Sequence, residues 1–251
     1  MADFHAVNVV GTINVLDAGK VHGMRRVVAL STSTFFDLAH DGHNEHAPVL
    51  ENPPDDPYTV TKLAAFREVH ERAAAGDDVL TCHPGAIYGP SPVPRRALHP
   101  TSFNAIVLGA LRGKIPAFVS FPVIWVAGSD VAWGSIAALD RGVAGERYWL
   151  TGRPEDEVST AVGCNRACEI AGVDHRVLDL GHRSVPDEMA AVFGPTLMSI
   201  AEAAAKGDRP KRSPDNPTRE RLGYQPTSLD DGMGRLVTWL REIGKIPEAT
   251  A

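Results

Sequence analysis

Long apolar runs, cysteine and positive charge are all scarce in this chain, and each scarcity narrows what it can be. No segment reaches the ~20 consecutive apolar residues of a membrane-spanning helix. The longest near-apolar stretch, Ala117 to Gly128, is broken by Ser120 and Pro122. Three cysteines, Cys82, Cys164 and Cys168, are too few for a disulfide framework. The first residues, Met1-Ala2-Asp3-Phe4-His5, carry neither the basic nor the apolar region of a secretory signal. A cytoplasmic setting and no membrane partner are therefore expected. Lys and Arg number 25 against 31 Asp and Glu, a net charge of -6. Nucleic acid is accordingly not expected as a partner, and the short basic run Arg209-Pro210-Lys211-Arg212 reads as a solvated linker.

What remains is an ordinary globular composition, 43% hydrophobic and 22% charged over 251 residues. That is enough for one large or two small α/β domains. Val9, Ile13 and Leu16 recur at helical spacing and Gly23 suits a C-terminal cap, which predicts a helix from Val7 to His22. Val27-Val28-Ala29-Leu30 is a short apolar run of the kind a buried parallel strand needs. It ends in the hydroxyl cluster Ser31-Thr32-Ser33-Thr34. Asp56 as N-cap and Pro57 at the first helical position begin a helix expected through about Ala75 and closed by Gly76. Val79-Leu80-Thr81-Cys82 reads as the next buried strand, so residues 27–82 form a strand–helix–strand unit with a right-handed parallel crossover. Further helices are expected over Phe103 to Arg112, Val131 to Leu139, Val158 to Ala171 and Pro186 to Ala205. Further strands are expected over Val123 to Val126 and Arg147 to Leu150. Ser228-x-x-Asp231 resembles a capping box ahead of a last helix reaching about Ile243. No internal repeat is present.

One spacing carries chemistry. Tyr58 and Lys62 lie four residues apart and share a helix face. A phenol, with an ordinary pKa of about 10, is inert near neutrality. A nearby ammonium favours its ionised form and so makes it a proton donor and acceptor for a carbonyl or alcohol oxygen. In a chain with four tyrosines and six lysines the spacing alone arises by chance roughly one time in ten, so context decides. Ligands of open parallel sheets bind beyond the carboxyl ends of strands, and Thr32 lies at such an end. A hydroxyl, a phenol and a cation can therefore converge on one bound oxygen. The competing reading is that the hydroxyls only satisfy backbone groups. Three other groups are weaker. His40, Asp41, His43, Glu45 and His46 read as a solvated, turn-forming loop rather than a metal site, and no metal is expected. Cys164 and Cys168 read as packed thiols, and His83 as a packed, hydrogen-bonded histidine.

The order of motifs resembles that of an extended short-chain dehydrogenase/reductase, the NAD-dependent epimerase/dehydratase family. Asn8-Val9-Val10-Gly11-Thr12 resembles that family's Asn-Val-x-Gly-Thr helix start. Arg26 through Thr32 resembles its strand ending in the active-site Ser/Thr, with Ser33 as the alternative register. Glu51 and the prolines before Pro57-Tyr58-x-x-x-Lys62 resemble its catalytic entry. His83-Pro84-Gly85-Ala86-Ile87-Tyr88-Gly89-Pro90 is similar to its Arg-Pro-x-x-Val-Tyr-Gly-Pro segment. Asp130-Val131-Ala132, Gly145-Glu146-Arg147-Tyr148 and Leu222-Gly223-Tyr224 resemble later landmarks. The resemblance implies NAD or NADP as cofactor and a small-molecule substrate. It implies Thr32 holding the substrate oxygen, Tyr58 as general acid/base, and Lys62 tuning the tyrosine and bonding the nicotinamide ribose. Asn8, Tyr58 and Gly85 would lie near the cofactor together with Lys62, and Thr32 and Ala86 near the substrate. A homodimer through the helices Val7 to His22 and Tyr58 to Ala75 is also implied.

Departures from the pattern sharpen the expectation. The family's opening strand and Gly-x-x-Gly-x-x-Gly turn, which seat a pyrophosphate at a helix N-terminus, have no counterpart in the sequence. His83 replaces the usual arginine, and Ala127 stands where an aspartate is common. The expected fold is α/β: a Rossmann-like parallel sheet, N-terminally incomplete, over residues 1–90. A small C-terminal α/β substrate region with returning core elements is expected over residues 91–251. An incomplete N-terminus is expected rather than an evolved loss, and these 251 residues alone are expected to bind dinucleotide poorly. The expected activity is hydride transfer at a carbinol or ketone carbon, reductase-like, because the Pro- and Phe-rich segment from Pro90 to Trp125 offers few cations. The alternatives are a nucleotide-sugar epimerase or dehydratase, and a non-catalytic remnant acting as a binding protein.

Overall fold

A computed structural model describes residues 2–37, 47–206 and 216–248. In chain order its helices and strands are α1 (Ala2–His5), α2 (Gly11–Val21), β1 (Val27–Leu30), α3 (Pro57–Ala74), β2 (Val79–Pro84), β3 (Ala86–Tyr88), α4 (Pro94–Ala97), α5 (Phe103–Leu111), β4 (Ala117–Val119), β5 (Val123–Ala127), α6 (Gly128–Arg141), β6 (Arg147–Leu150), β7 (Glu157–Val158), α7 (Thr160–Ala171), β8 (Leu178–Leu180), α8 (Asp187–Lys206), α9 (Pro217–Leu222) and α10 (Leu229–Glu242). The metal-candidate loop around His40 and the basic run at Arg209 lie outside the described residues. The three cysteines are free and buried. Among the described residues no helix is long and apolar enough to cross a membrane.

The chain divides into two compact units. The first is Met1–Gly85, Val131–Leu150 and Ser213–Gln225. Its sheet has the order β1-β2-β6, parallel throughout. The strand–helix–strand crossover expected over residues 27–82 is present, with Val27 to Leu30 in register with Val79 to Cys82. Arg26 forks onto both carboxylate oxygens of Asp78, at 2.7 and 3.0 Å. A bidentate pair of this kind fixes geometry as well as charge, and here it sets the register where both strands begin. Among the described residues β1 pairs on one side only. α3 starts where the sequence requires. The Asp56 carboxylate accepts from the amides of Tyr58 and Thr59, both at 3.0 Å, and Pro57 occupies the first turn.

The helix expected from Val7 to His22 is longer and not uniform. It begins at Ala2, and a π-helical segment, Ala6–Val10, separates α1 from α2. Periodicity of 3.6 cannot show such an insertion, because it shifts the apolar positions by about one residue. Two packed groups fill this unit. Phe35, Phe36, Leu63, Phe66 and Trp149 form one, and Leu16, Val69 and Val79 the other.

The second unit is Ala86–Asp130, Thr151–Arg212 and Pro226–Ala251. Its strands are short. β5 is flanked by β3 in parallel and β7 in antiparallel pairing, and β4 pairs in parallel with β8. Trp125 sits at the centre of its core. It is 2% exposed, its indole donates to the Val158 carbonyl at 3.2 Å, and its ring meets Tyr88 and Phe103 edge-on. Gly163 on α7 has no alternative there, since a Cβ would come 2.5 Å from the indole. Met233, Leu236, Val237 and Leu240 of α10 line the same core. Ser228 caps α10 as expected, accepting from the Asp231 amide. α8 carries a kink at Gly194, with φ 78°, in the helix expected over Pro186 to Ala205.

Candidate active site

The first unit brings Thr32, Tyr58 and Lys62 to the junction of β1 and α3. β1 ends where the Ser31 amide donates to the Cys82 carbonyl at 2.8 Å. Thr32 then leaves the sheet, 7% exposed. Among the described residues its hydroxyl makes no hydrogen bond. The hydroxyl of Thr34, two residues on, accepts from the Thr59 hydroxyl at 3.1 Å. That bond ties the loop to the first turn of α3.

Tyr58 stands in that first turn and is 39% exposed, so a molecule in solution can reach its phenol. Lys62 follows one turn later. Its Nζ donates to the Leu30 carbonyl at 3.2 Å, the last residue of β1. Burial, which disfavours the charged form, lowers the Lys62 pKa from its ordinary value. A small hollow lies against it, lined by Thr12, Ser31, Lys62 and Thr81 among others. Among the described residues the buried Ser31 hydroxyl in that lining has no hydrogen-bond partner.

The remaining expected residues are placed less directly. The Asn8 side-chain amide, in the π-helical segment, donates to the Thr61 hydroxyl at 2.9 Å, and that hydroxyl donates to the Pro57 carbonyl at 2.6 Å. Asn8 thus braces the helix that carries Tyr58 and Lys62. The Gly85 amide donates to the Leu150 carbonyl at 3.1 Å. Ala86 belongs to the second unit, opposite Trp125 in the β3–β5 pairing.

His83 is packed and hydrogen-bonded as expected, but sequence reasoning missed the buried polar chain it forms with Thr81 and His70 beneath this junction. His83, fully buried, contacts the Thr32 carbonyl through Nδ1 and the Thr81 hydroxyl through Nε2, both at 2.9 Å. Thr81 in turn lies 3.4 Å from Nε2 of His70 on α3. Burial pushes the His83 pKa down to about 3, against the opposing pull of the Thr32 carbonyl; the positive charge of Arg147 adds to the lowering. His70 is also lowered, by burial and then by Arg147. The signal was available: Thr81 and His83 alternate on one face of a strand, as two polar positions in an apolar run.

With this geometry in view, comparison with known proteins is decisive at the level of family. The model of the NAD dependent epimerase/dehydratase family matches residues 1–150. The chain belongs to that family. It is 28% identical to sterol demethylase protein B of Methylococcus capsulatus, over 96% of this chain and 74% of that protein. Among solved structures it is similar to a nucleoside-diphosphate-sugar epimerase from Pseudomonas aeruginosa (TM-score 0.74, 21% identity, 98% of this chain and 76% of that one). It is also similar to the UDP-glucose 4-epimerase of Thermotoga maritima (TM-score 0.70, 18% identity, 95% and 71%). At such identities the structures establish the α/β, Rossmann-like fold.

Proposed function

We propose that this family member is an NAD(P)-dependent oxidoreductase that reduces a ketone or aldehyde of an apolar substrate, with Tyr58 as general acid. One observation carries the reading: Lys62, half-buried, is fixed by the Leu30 carbonyl at the strand end, one helical turn from an accessible phenol. An ammonium has three donors, and Leu30 uses one, so Lys62 fits the ribose hydroxyls of NAD or NADP. Asn8 has its amide nitrogen committed to Thr61 and offers its side-chain oxygen, while Gly85 offers close backbone approach. A bound nicotinamide supplies the hydride for the carbonyl carbon. The Thr32 hydroxyl donates to the substrate oxygen, Tyr58 delivers the proton to it, and Lys62 stabilises the phenolate left behind. Ala86 is assigned to the substrate.

The preference for an apolar substrate rests on the composition of the segment Pro90 to Trp125, whose cations are Arg95, Arg96, Arg112 and Lys114. A hollow of about 460 Å³ in the second unit is lined by Ile87, Pro90, Pro92 and Ala97 beside the polar Ser91, Ser102 and Asn104, with Arg96 as the cation of its lining. A sugar nucleotide brings a pyrophosphate, which calls for more positive charge. A relative named for sterol demethylation points the same way.

NADH deuterated on either face of C4, incubated with the full-length gene product and a panel of apolar ketones, is expected to leave deuterium at the new carbinol carbon from one face only. Epimerisation of a nucleotide sugar without net NADH consumption would replace this reading with the epimerase one.

The protein is proposed to be a homodimer through the helical stretch Val7 to His22 and α3. Val7 and Val10 of the π-helical segment, Val15 of α2 and Val60 of α3 are exposed, and Val10 and Val60 line one shallow, mostly apolar hollow with Ala2, Ala6 and Ala64. Sedimentation velocity is expected to show twice the chain mass, reduced to a monomer by Val60→Glu.

A further inference from the structure

His83 has no part in the proton step, yet it is fully enclosed in the first unit, 0% exposed. Its ring is walled by Phe36, Phe66 and Trp149, with centroids 5.1, 5.7 and 5.3 Å away. Turned any other way, the ring would lose both of its hydrogen bonds in an apolar setting. The two partners settle which nitrogen carries the proton. The Thr32 carbonyl can only accept, so Nδ1 is the donor toward it. In a neutral ring Nε2 is then an acceptor, and the Thr81 hydroxyl donates to it. The Thr81 oxygen is left to accept from His70.

The position of Thr32 shows what this arrangement does. The last ladder bond of β1 is made by the Ser31 amide. One residue later the only thing holding the backbone of Thr32, among the described residues, is the His83 ring. We infer that His83, as the neutral Nδ1–H tautomer, is a positioning residue that aims the Thr32 hydroxyl by clamping its carbonyl. A neutral ring in this place holds the loop without adding a second cation beside Lys62. The inference rests on Thr32 being the donor to the substrate oxygen.

Two substitutions separate positioning from packing, because asparagine places a nitrogen donor where Nδ1 stands, whereas glutamine places its amide where Nε2 stands. Both remove the same ring from the same buried site. In two-bond 1H–15N spectra of the wild-type chain, His83 is expected as the Nδ1–H tautomer, unchanged from pH 8 to pH 5. With methyl-labelled threonine, Thr32 is expected to keep one rigid resonance in His83→Asn and to show increased motion in His83→Gln. In the full-length gene product with cofactor, His83→Asn is expected to retain at least ~10-fold more kcat than His83→Gln at similar KM, since misplacing a reacting group by about 1 Å costs up to ~10²-fold. An Nε2–H tautomer, or an imidazolium at pH 6, overturns the inference. So does a Thr32 methyl equally rigid in both variants. Full activity in Thr32→Ala would instead refute the role given to Thr32 and leave the clamp to be judged by the spectra.

Discussion

Tyr58→Phe is expected to lower kcat by about 10²- to 10⁴-fold, the range that a positioned general acid contributes, while leaving cofactor affinity and the folded state unchanged. The substitution removes one oxygen from a side chain that is 39% exposed. No packed atom of the core is lost, and the N-cap of α3 is untouched because it uses the Tyr58 amide and not its phenol. The prediction therefore isolates proton delivery from structure. Single-turnover measurement of cofactor oxidation at saturating ketone checks it, with urea unfolding as the control. A Tyr58→Phe protein that retains full turnover would remove Tyr58 from the chemistry and with it the assignment of Lys62. Lys62→Met would then be expected to act only through stability, because its Nζ also supports the Leu30 carbonyl.

Acidification is expected to destabilise the first unit well above the pH at which carboxylates titrate. An unfolded histidine takes up a proton near pH 6.5. His83 in the folded chain refuses one until about pH 3, chiefly because the ring is buried, with Arg147, His70 and Lys62 adding repulsion. Between those values the unfolded state binds more protons, so stability falls as pH falls. The contribution is fully present above pH 6.5 and is lost progressively down to about pH 3. One pKa unit corresponds to about 1.4 kcal/mol, so the loss across the whole window is on the order of 5 kcal/mol, a large share of the ~5–15 kcal/mol of a typical domain. His70, also lowered, steepens the upper part of the window. The cleanest reading is the slope of unfolding free energy between pH 6.5 and 5, from urea titrations. It is expected to approach about 1.4 kcal/mol per pH unit in the wild type and to be much flatter in His83→Asn. An equal slope in the two proteins would show that His83 is not buried neutral.

How much of this was legible depended on how local each signal is. The start of α3 is written in three adjacent residues, Asp56, Pro57 and Tyr58, because capping is a contact between neighbours, and the structure places it there. β1 and β2 were visible as apolar runs bounded by polar turns. β3, β4 and β8 were not, because strands of three residues are too short for a period-2 pattern to appear. The π-helical segment before α2 was hidden in a pattern that still looked helical. Of the site residues, Tyr58 and Lys62 were legible because a helix makes positions four apart neighbours.

The sequence by itself determined the family and the fold class, together with the helix that carries Tyr58 and Lys62. These follow from ordered motifs, strand-like runs and caps, all of which act over a few residues. Only the tertiary structure decided that Lys62 spends a donor on Leu30, that Asn8 braces Thr61, and that His83 clamps Thr32. Each of these joins residues 32 to 53 positions apart. Such contacts exist because parallel strands and their crossover bring distant segments side by side, where a buried polar group must find whatever partner the fold supplies.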